Sequence, residues 1–258
     1  MYTPSPFSSK PQRESRFPGG AVLDTRLDVA AALPFLRRVY ALFTGGVFLA
    51  VAGALVALYA GEPVPVAGLP VAVSPIVAFG LQHWFIMTGV FFVAFLGAQL
   101  ARRVRGVNVL ALLGYTFVTG LYVAPSIFVA QVMASGGGTL DASPVRDAFL
   151  LTAAAFVGLS AYVFVSRKDF SYLGAALNMG LWVVLGAMFL GFFFHSAVFQ
   201  LAIASVGVLL FCGYILFDTS RMMRGRVGDD AVGAALGLFL DVVNLFLFLL
   251  RILSSRRN

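Results

Sequence analysis

Phe211-Cys212-Gly213-Tyr214-Ile215-Leu216-Phe217-Asp218-Thr219 and Gly237-Leu238-Phe239-Leu240-Asp241-Val242-Val243-Asn244-Leu245-Phe246 are two apolar stretches, each interrupted by one aspartate. They belong to a hydrophobic hairpin from Ala197 to Leu253, and Asp218 and Asp241 are 23 residues apart. The midpoint between them falls at Asp229-Asp230, just after Gly228. If both arms are helical and fold back there, each carboxylate lies about 17 Å from the turn, at about 1.5 Å per residue. Two carboxylates at matching depth on antiparallel neighbours then face one another. A charge inside a bilayer costs about 2.5–3.5 kcal/mol on insertion scales, so such groups face the bundle interior and a partner. Competing structural readings are a helix-end Asp218 near water or Arg221, and an Asp241 hydrogen-bonded to Asn244.

Composition places the hairpin in a membrane. The chain is 60% hydrophobic and 11% charged, with a mean hydropathy of +0.94, whereas soluble domains run near 25% charged. Seven apolar runs follow one another: Val39–Ala60, Ile76–Leu100, Val107–Met133, Ala148–Val165, Tyr172–Phe194, Ala197–Phe217 and Ala231–Leu253. Each approaches the ~20 residues a spanning helix needs. The expected fold is an all-α integral membrane protein, a seven-transmembrane-helix bundle. Residues 1–36, rich in proline and serine, are expected to form a disordered cytoplasmic tail, and 37–258 the membrane domain. The last run is apolar all round but for Asp241 and Asn244, so it is expected inside the bundle. Gly233 and Gly237 form a Gly-x-x-x-Gly pair that allows a close backbone neighbour.

The net charge of +7 is not a nucleic-acid signal, because the basic residues cluster at the ends of apolar runs. Fourteen lysines and arginines fall on the side of the tail and one, Arg146, on the other. The positive-inside rule therefore places the N-terminus in the cytoplasm. Seven crossings leave Arg251, Arg256 and Arg257 outside, unless the last segment is re-entrant.

Several chemistries are disfavoured. A retinal Schiff base needs a lysine in the last helix, and the lysines are Lys10 and Lys168. His83 and His195 lack zinc-ligand spacing, and Cys212 is the single cysteine. No phosphate loop or nucleophile elbow occurs. An intramembrane aspartyl protease needs paired aspartates. The presenilin-like pattern of Tyr-Asp, Gly-x-Gly-Asp and Pro-Ala-Leu is not matched, so that reading is a remote alternative and no catalytic residue is assigned.

Phe217-Asp218-Thr219, the stretch Leu238–Phe246 and Leu249-Leu250-Arg251-Ile252-Leu253 resemble the C-terminal signature of the Bax inhibitor-1 family. So do Gly158-Leu159-Ser160-Ala161-Tyr162, Ser166–Gly174, and Gly114–Gly120 with Pro125 beyond. The resemblance covers residues 35–253. It implies six helices around a central last one, and a pH-sensitive calcium leak whose sensor and metal-binding pair is Asp218 and Asp241. It also implies a counter-charge at the end of the second helix, where Arg102 matches best and Arg103 is next. Cytoplasmic anchoring explains the same arginines. In this reading Arg102 bridges the ionised pair and holds the cytoplasmic end shut, and protonation loosens it; Asn244 supports the pair. No cofactor is expected, and calcium is a weakly bound permeant ion in a bacterial inner membrane. The alternative is a non-conducting interaction protein that regulates a membrane protease or a stress response.

Overall fold

A computed structural model describes residues 29–69, 71–104, 106–135, 140–191, 193, 196–225 and 227–255. Residues 1–28 of the tail, Arg105, Gly136-Gly137-Gly138, His195, Arg226, Arg256 and Arg257 lie outside them. Among the described residues eight α-helices follow in order: α1 Val29–Tyr59, α2 Pro75–Gln82, α3 Trp84–Ala101, α4 Asn108–Ala134, α5 Ser143–Ser166, α6 Gly174–Leu190, α7 Ala197–Met223 and α8 Ala231–Ser255. Seven of these elements are long and apolar enough to cross a membrane, the short α2 being the exception.

The fold is the expected seven-helix membrane bundle, with two differences of detail. Residues 29–36, assigned from composition to the tail, are the first turns of α1, and Pro34 lies inside that helix. The second apolar run is broken at His83, whose φ of −124° and ψ of 46° separate α2 from α3. Gly80 lets α2 settle on α4, because a Cβ there would stand 2.6 Å from the Pro125 ring. Both sides of the break are apolar, so hydropathy does not reveal it. The last segment is one uninterrupted helix of 25 residues, about 37 Å long at 1.5 Å per residue. That exceeds the ~30 Å hydrocarbon core, so α8, as expected for a seventh crossing, is long enough to span.

Helix α8 is the centre of the bundle, packed against α1, α4, α5 and α7. Two helices stand further out: α3 packs chiefly on α4, and α6 chiefly on α7. Burial follows this order. Twelve residues of α8 are buried, but only Ala98 of α3. Phe85, Val93 and Leu100 of α3 and Trp182 of α6 face outward, as lipid-contacting side chains do. Helices α1 and α4 approach most closely, at Gly53 and Gly120. A Cβ on Gly53 would run into the Phe117 carbonyl oxygen, and one on Gly120 into that of Ala50. Without a hydrophobic drive between helices in lipid, such small-residue contacts hold spans together.

The loop between α1 and α2 is also fastened. Val64 and Val73 exchange backbone hydrogen bonds of 2.8 and 3.0 Å. Ser74 accepts from the Val77 N–H at 3.2 Å, capping α2, and donates to the Ala57 carbonyl.

Candidate carboxylate site in the bundle interior

Helix α7 continues five residues past Asp218 to Met223, whereas α8 begins ten residues before Asp241. At 1.5 Å per residue the two carboxylates lie about 8 and 15 Å from their helix ends. Asp218 is therefore level with Gly237, one turn short of Asp241, and the two depths do not match as the midpoint argument assumed. A Cβ on Gly237 would stand 3.1 Å from Asp218 Oδ2. This glycine makes room for a carboxylate, not for a neighbouring backbone. Gly233 serves similarly at the start of α8: its N–H donates to Asp230 Oδ1 at 2.7 Å, and a Cβ would strike that carboxylate.

Asp241 is 6% exposed, and its Oδ2 has no hydrogen-bond partner among the described residues. Asp218 is half-buried and lies within electrostatic reach of Asp241. Tyr214, one turn earlier on α7, is within reach of both carboxylates. The interior thus holds two acidic side chains from adjacent helices, with one carboxylate oxygen unpaired. Asn244 does not serve that oxygen through its amide N–H, which donates back to the Leu240 carbonyl at 2.8 Å.

Arg102 and Arg103 come together at the arginine-rich end, outside the carboxylate pair. Arg102 Nε stands 3.8 Å from Asp230 Oδ2, both side chains being about a third exposed. The ion pair observed for Arg102 is thus with Asp230, the residue just before α8, not with Asp218 or Asp241. A cavity of about 410 Å³ lies there, lined by Arg38, Arg102, Arg103, Asn108, Asp229 and Asp230. At the other end a cavity of about 940 Å³ opens among α2, α3, α4, α6, α7 and α8, and it reaches Asn244, three residues beyond Asp241.

The family described as "inhibitor of apoptosis-promoting Bax1" matches residues 33–258. The chain belongs to the Bax inhibitor-1 family. It is 33% identical over 224 residues to an uncharacterized protein of Campylobacter jejuni, covering 86% of this chain and 88% of that one. Identity to protein lifeguard 4 of mouse is 38% over 156 residues, 60% of this chain and 61% of the mouse protein. Bax inhibitor 1 of Schizosaccharomyces pombe is 30% identical over 233 residues, covering 88% of this chain and 78% of the yeast protein.

The Bax inhibitor-1 motif after α5 has a structural use. Arg167 ends α5 in the left-handed region, at φ 54°. The Phe170 N–H donates to Ser220 Oγ at 3.0 Å, and Arg224 donates to the Arg167 carbonyl at 2.7 Å. Arg224 Nε also stands 3.6 Å from Asp169. These bonds fix the end of α7 and so the height of Asp218. Three hydroxyls given no role from sequence lie nearby: Tyr40 of α1 is adjacent to Ser160 of α5 and Thr219 of α7. Their oxygens are buried without a closed hydrogen bond. Single hydroxyls in apolar helices carry no spacing signal, which is why only the fold reveals them.

Proposed function

We propose that this Bax inhibitor-1 family protein is a proton-sensitive cation leak, favouring calcium, with Asp218 and Asp241 as sensor and ion-binding pair. One observation carries the reading: Asp241 is buried beside Asp218 with an unpaired carboxylate oxygen. An acidic group left so in a bilayer is costly and marks an ion or proton pathway by default. A proton or a cation supplies the missing partner. Calcium takes six to eight oxygens, and among the described residues no three acidic, histidine or cysteine side chains converge. A pair of carboxylates therefore binds it weakly, with water completing the shell, and weak binding suits passage. The large cavity gives an approach from one end as far as Asn244. At the other, Arg102 ties the end of α3 to the start of α8 through Asp230 and narrows the exit. The membrane is a bacterial inner membrane, with the arginine-rich end in the cytoplasm.

The test is calcium entry into liposomes containing only the purified protein. Entry above empty vesicles, changing with pH, is expected. No entry at any pH would remove the leak and favour a regulatory interaction protein.

A further inference from the structure

Arg251 is the basic residue of α8 that the charge asymmetry leaves at the wrong end, and its surroundings give it a use. It follows Ala231 by 20 residues, about 30 Å at 1.5 Å per residue, which places it at the far boundary of a ~30 Å hydrocarbon core. Among the described residues it has no carboxylate within ion-pair distance; its guanidinium donates to the Gln200 side-chain oxygen. A guanidinium retains bonding capacity after one such contact, having five N–H groups.

Both residues line the 940 Å³ cavity. Its walls are otherwise mainly apolar, with Val129 and Met133 on α4, and Leu185 and Met188 on α6. These four side chains are also exposed, and α6 packs chiefly on α7. The cavity therefore opens sideways, between α4 and α6, towards the region lipid occupies. Along α8 it runs from Asn244 to Ser255, and from Arg251 at the boundary down to Asn244 is seven residues, about 10 Å, some two-thirds of one ~15 Å leaflet. An apolar slot reaching well into one leaflet, open to the side and headed by an arginine at the interface, suits the phosphate and upper acyl chain of a phospholipid.

We propose that this cavity seats one anionic phospholipid, its phosphate on Arg251 and Gln200 and an acyl chain along the α4–α6 slot. Arg251 supplies charge-assisted hydrogen bonds to the phosphate, and the apolar walls replace neighbouring acyl chains. For the leak proposed above, this lipid stands in the approach to Asn244 and must move aside for passage. Binding itself does not depend on that reading.

The test is native mass spectrometry of the full chain from nanodiscs of equal parts phosphatidylglycerol and phosphatidylcholine, so that failure to bind lipid is distinct from failure to leak. Wild type is expected to retain one phosphatidylglycerol. Arg251→Gln is expected to lose that preference about tenfold, the scale of one charge-assisted hydrogen bond. Leu185→Trp, which fills the slot, should reduce retention of both lipids. Equal retention of the two lipids by wild type, or an unchanged preference in Arg251→Gln, would overturn the proposal. A second measurement needs no variant: phosphatidylglycerol with a photoreactive tail should label Val129 or Leu185 of the native chain. Labelling confined to outward residues such as Phe48 and Val93, or crosslinking to another polypeptide at the slot, would equally overturn it.

Discussion

The two halves of α8 have the same apolar character and opposite surroundings. From Ala231 to Asp241 the helix is enclosed: Ala235, Leu236, Leu238 and Phe239 are buried, and Tyr115 of α4 meets the Phe239 ring edge-on at 6.3 Å. From Asn244 to Ser255 one side faces a cavity, through Asn244, Leu247, Arg251 and Ser254. Asp241 stands where the sealed half gives way to the open one. Hydropathy reports how well a helix suits a membrane but not what fills the space beside it. The difference arises from partners: Leu36, Val39 and Phe43 of α1 and Leu112 and Tyr115 of α4 close on the first half, whereas along the second α6 stands away from α4 and leaves the cavity.

The enclosure of α8 can be broken most severely where α1 and α4 cross. Gly120→Leu places a side chain into the α1 backbone, and loss of folded protein is expected, read as the monomer yield on gel filtration. Next, Phe239→Ala in the sealed half should cost about 3–5 kcal/mol, the range for large aromatic truncations in packed cores. Leu247→Ala on the cavity wall should cost about 1 kcal/mol or less, as for weakly packed positions. Thermal unfolding in one detergent compares the two; equal losses would mean that the halves do not differ in packing. Smaller again is Asp230→Ala, which removes both the bond to the Gly233 N–H and the Arg102 pair. About 1 kcal/mol of helix capping should go, and calcium entry should rise as the exit loosens. Finally, cysteines placed at Arg103 and Ser255 in a Cys212→Ser background should label from opposite sides of intact cells, with Ser255 outside. Labelling of both from one side would contradict the seven crossings.

Much of this architecture was legible in the sequence because a bilayer demands long apolar helices with internally satisfied backbones. The seven runs and the interior place of α8 follow from that demand and from the cost of burying Asp241. Heights were less legible. Taking Asp229-Asp230 as the turn put Asp218 opposite Asp241, but α7 keeps its helix through Arg221 and Met223, so Asp218 falls opposite Gly237. The role of Gly233 and Gly237 changed for the same reason, because glycine spacing does not say whether a backbone or a carboxylate fills the gap. Arg102 was matched to the aspartates by its place after the second span, and Asp230, just before α8, reaches it instead. Neither the 940 Å³ cavity nor the Tyr40, Ser160 and Thr219 cluster has a sequence period, since each draws side chains from three or more helices.

The central claim is that Asp218 and Asp241 form one proton-linked site controlling cation passage. It is tested most directly by calcium entry into liposomes as pH is stepped from acidic to neutral, comparing wild type with Asp218→Asn and Asp241→Asn. Each asparagine fixes its position in a neutral state that no longer titrates. Wild-type entry should vary with pH, and entry through either variant should be nearly constant across the range. A wild-type pH profile in both variants would contradict the account and transfer the sensor to His83, His195 or the Asp229-Asp230 turn.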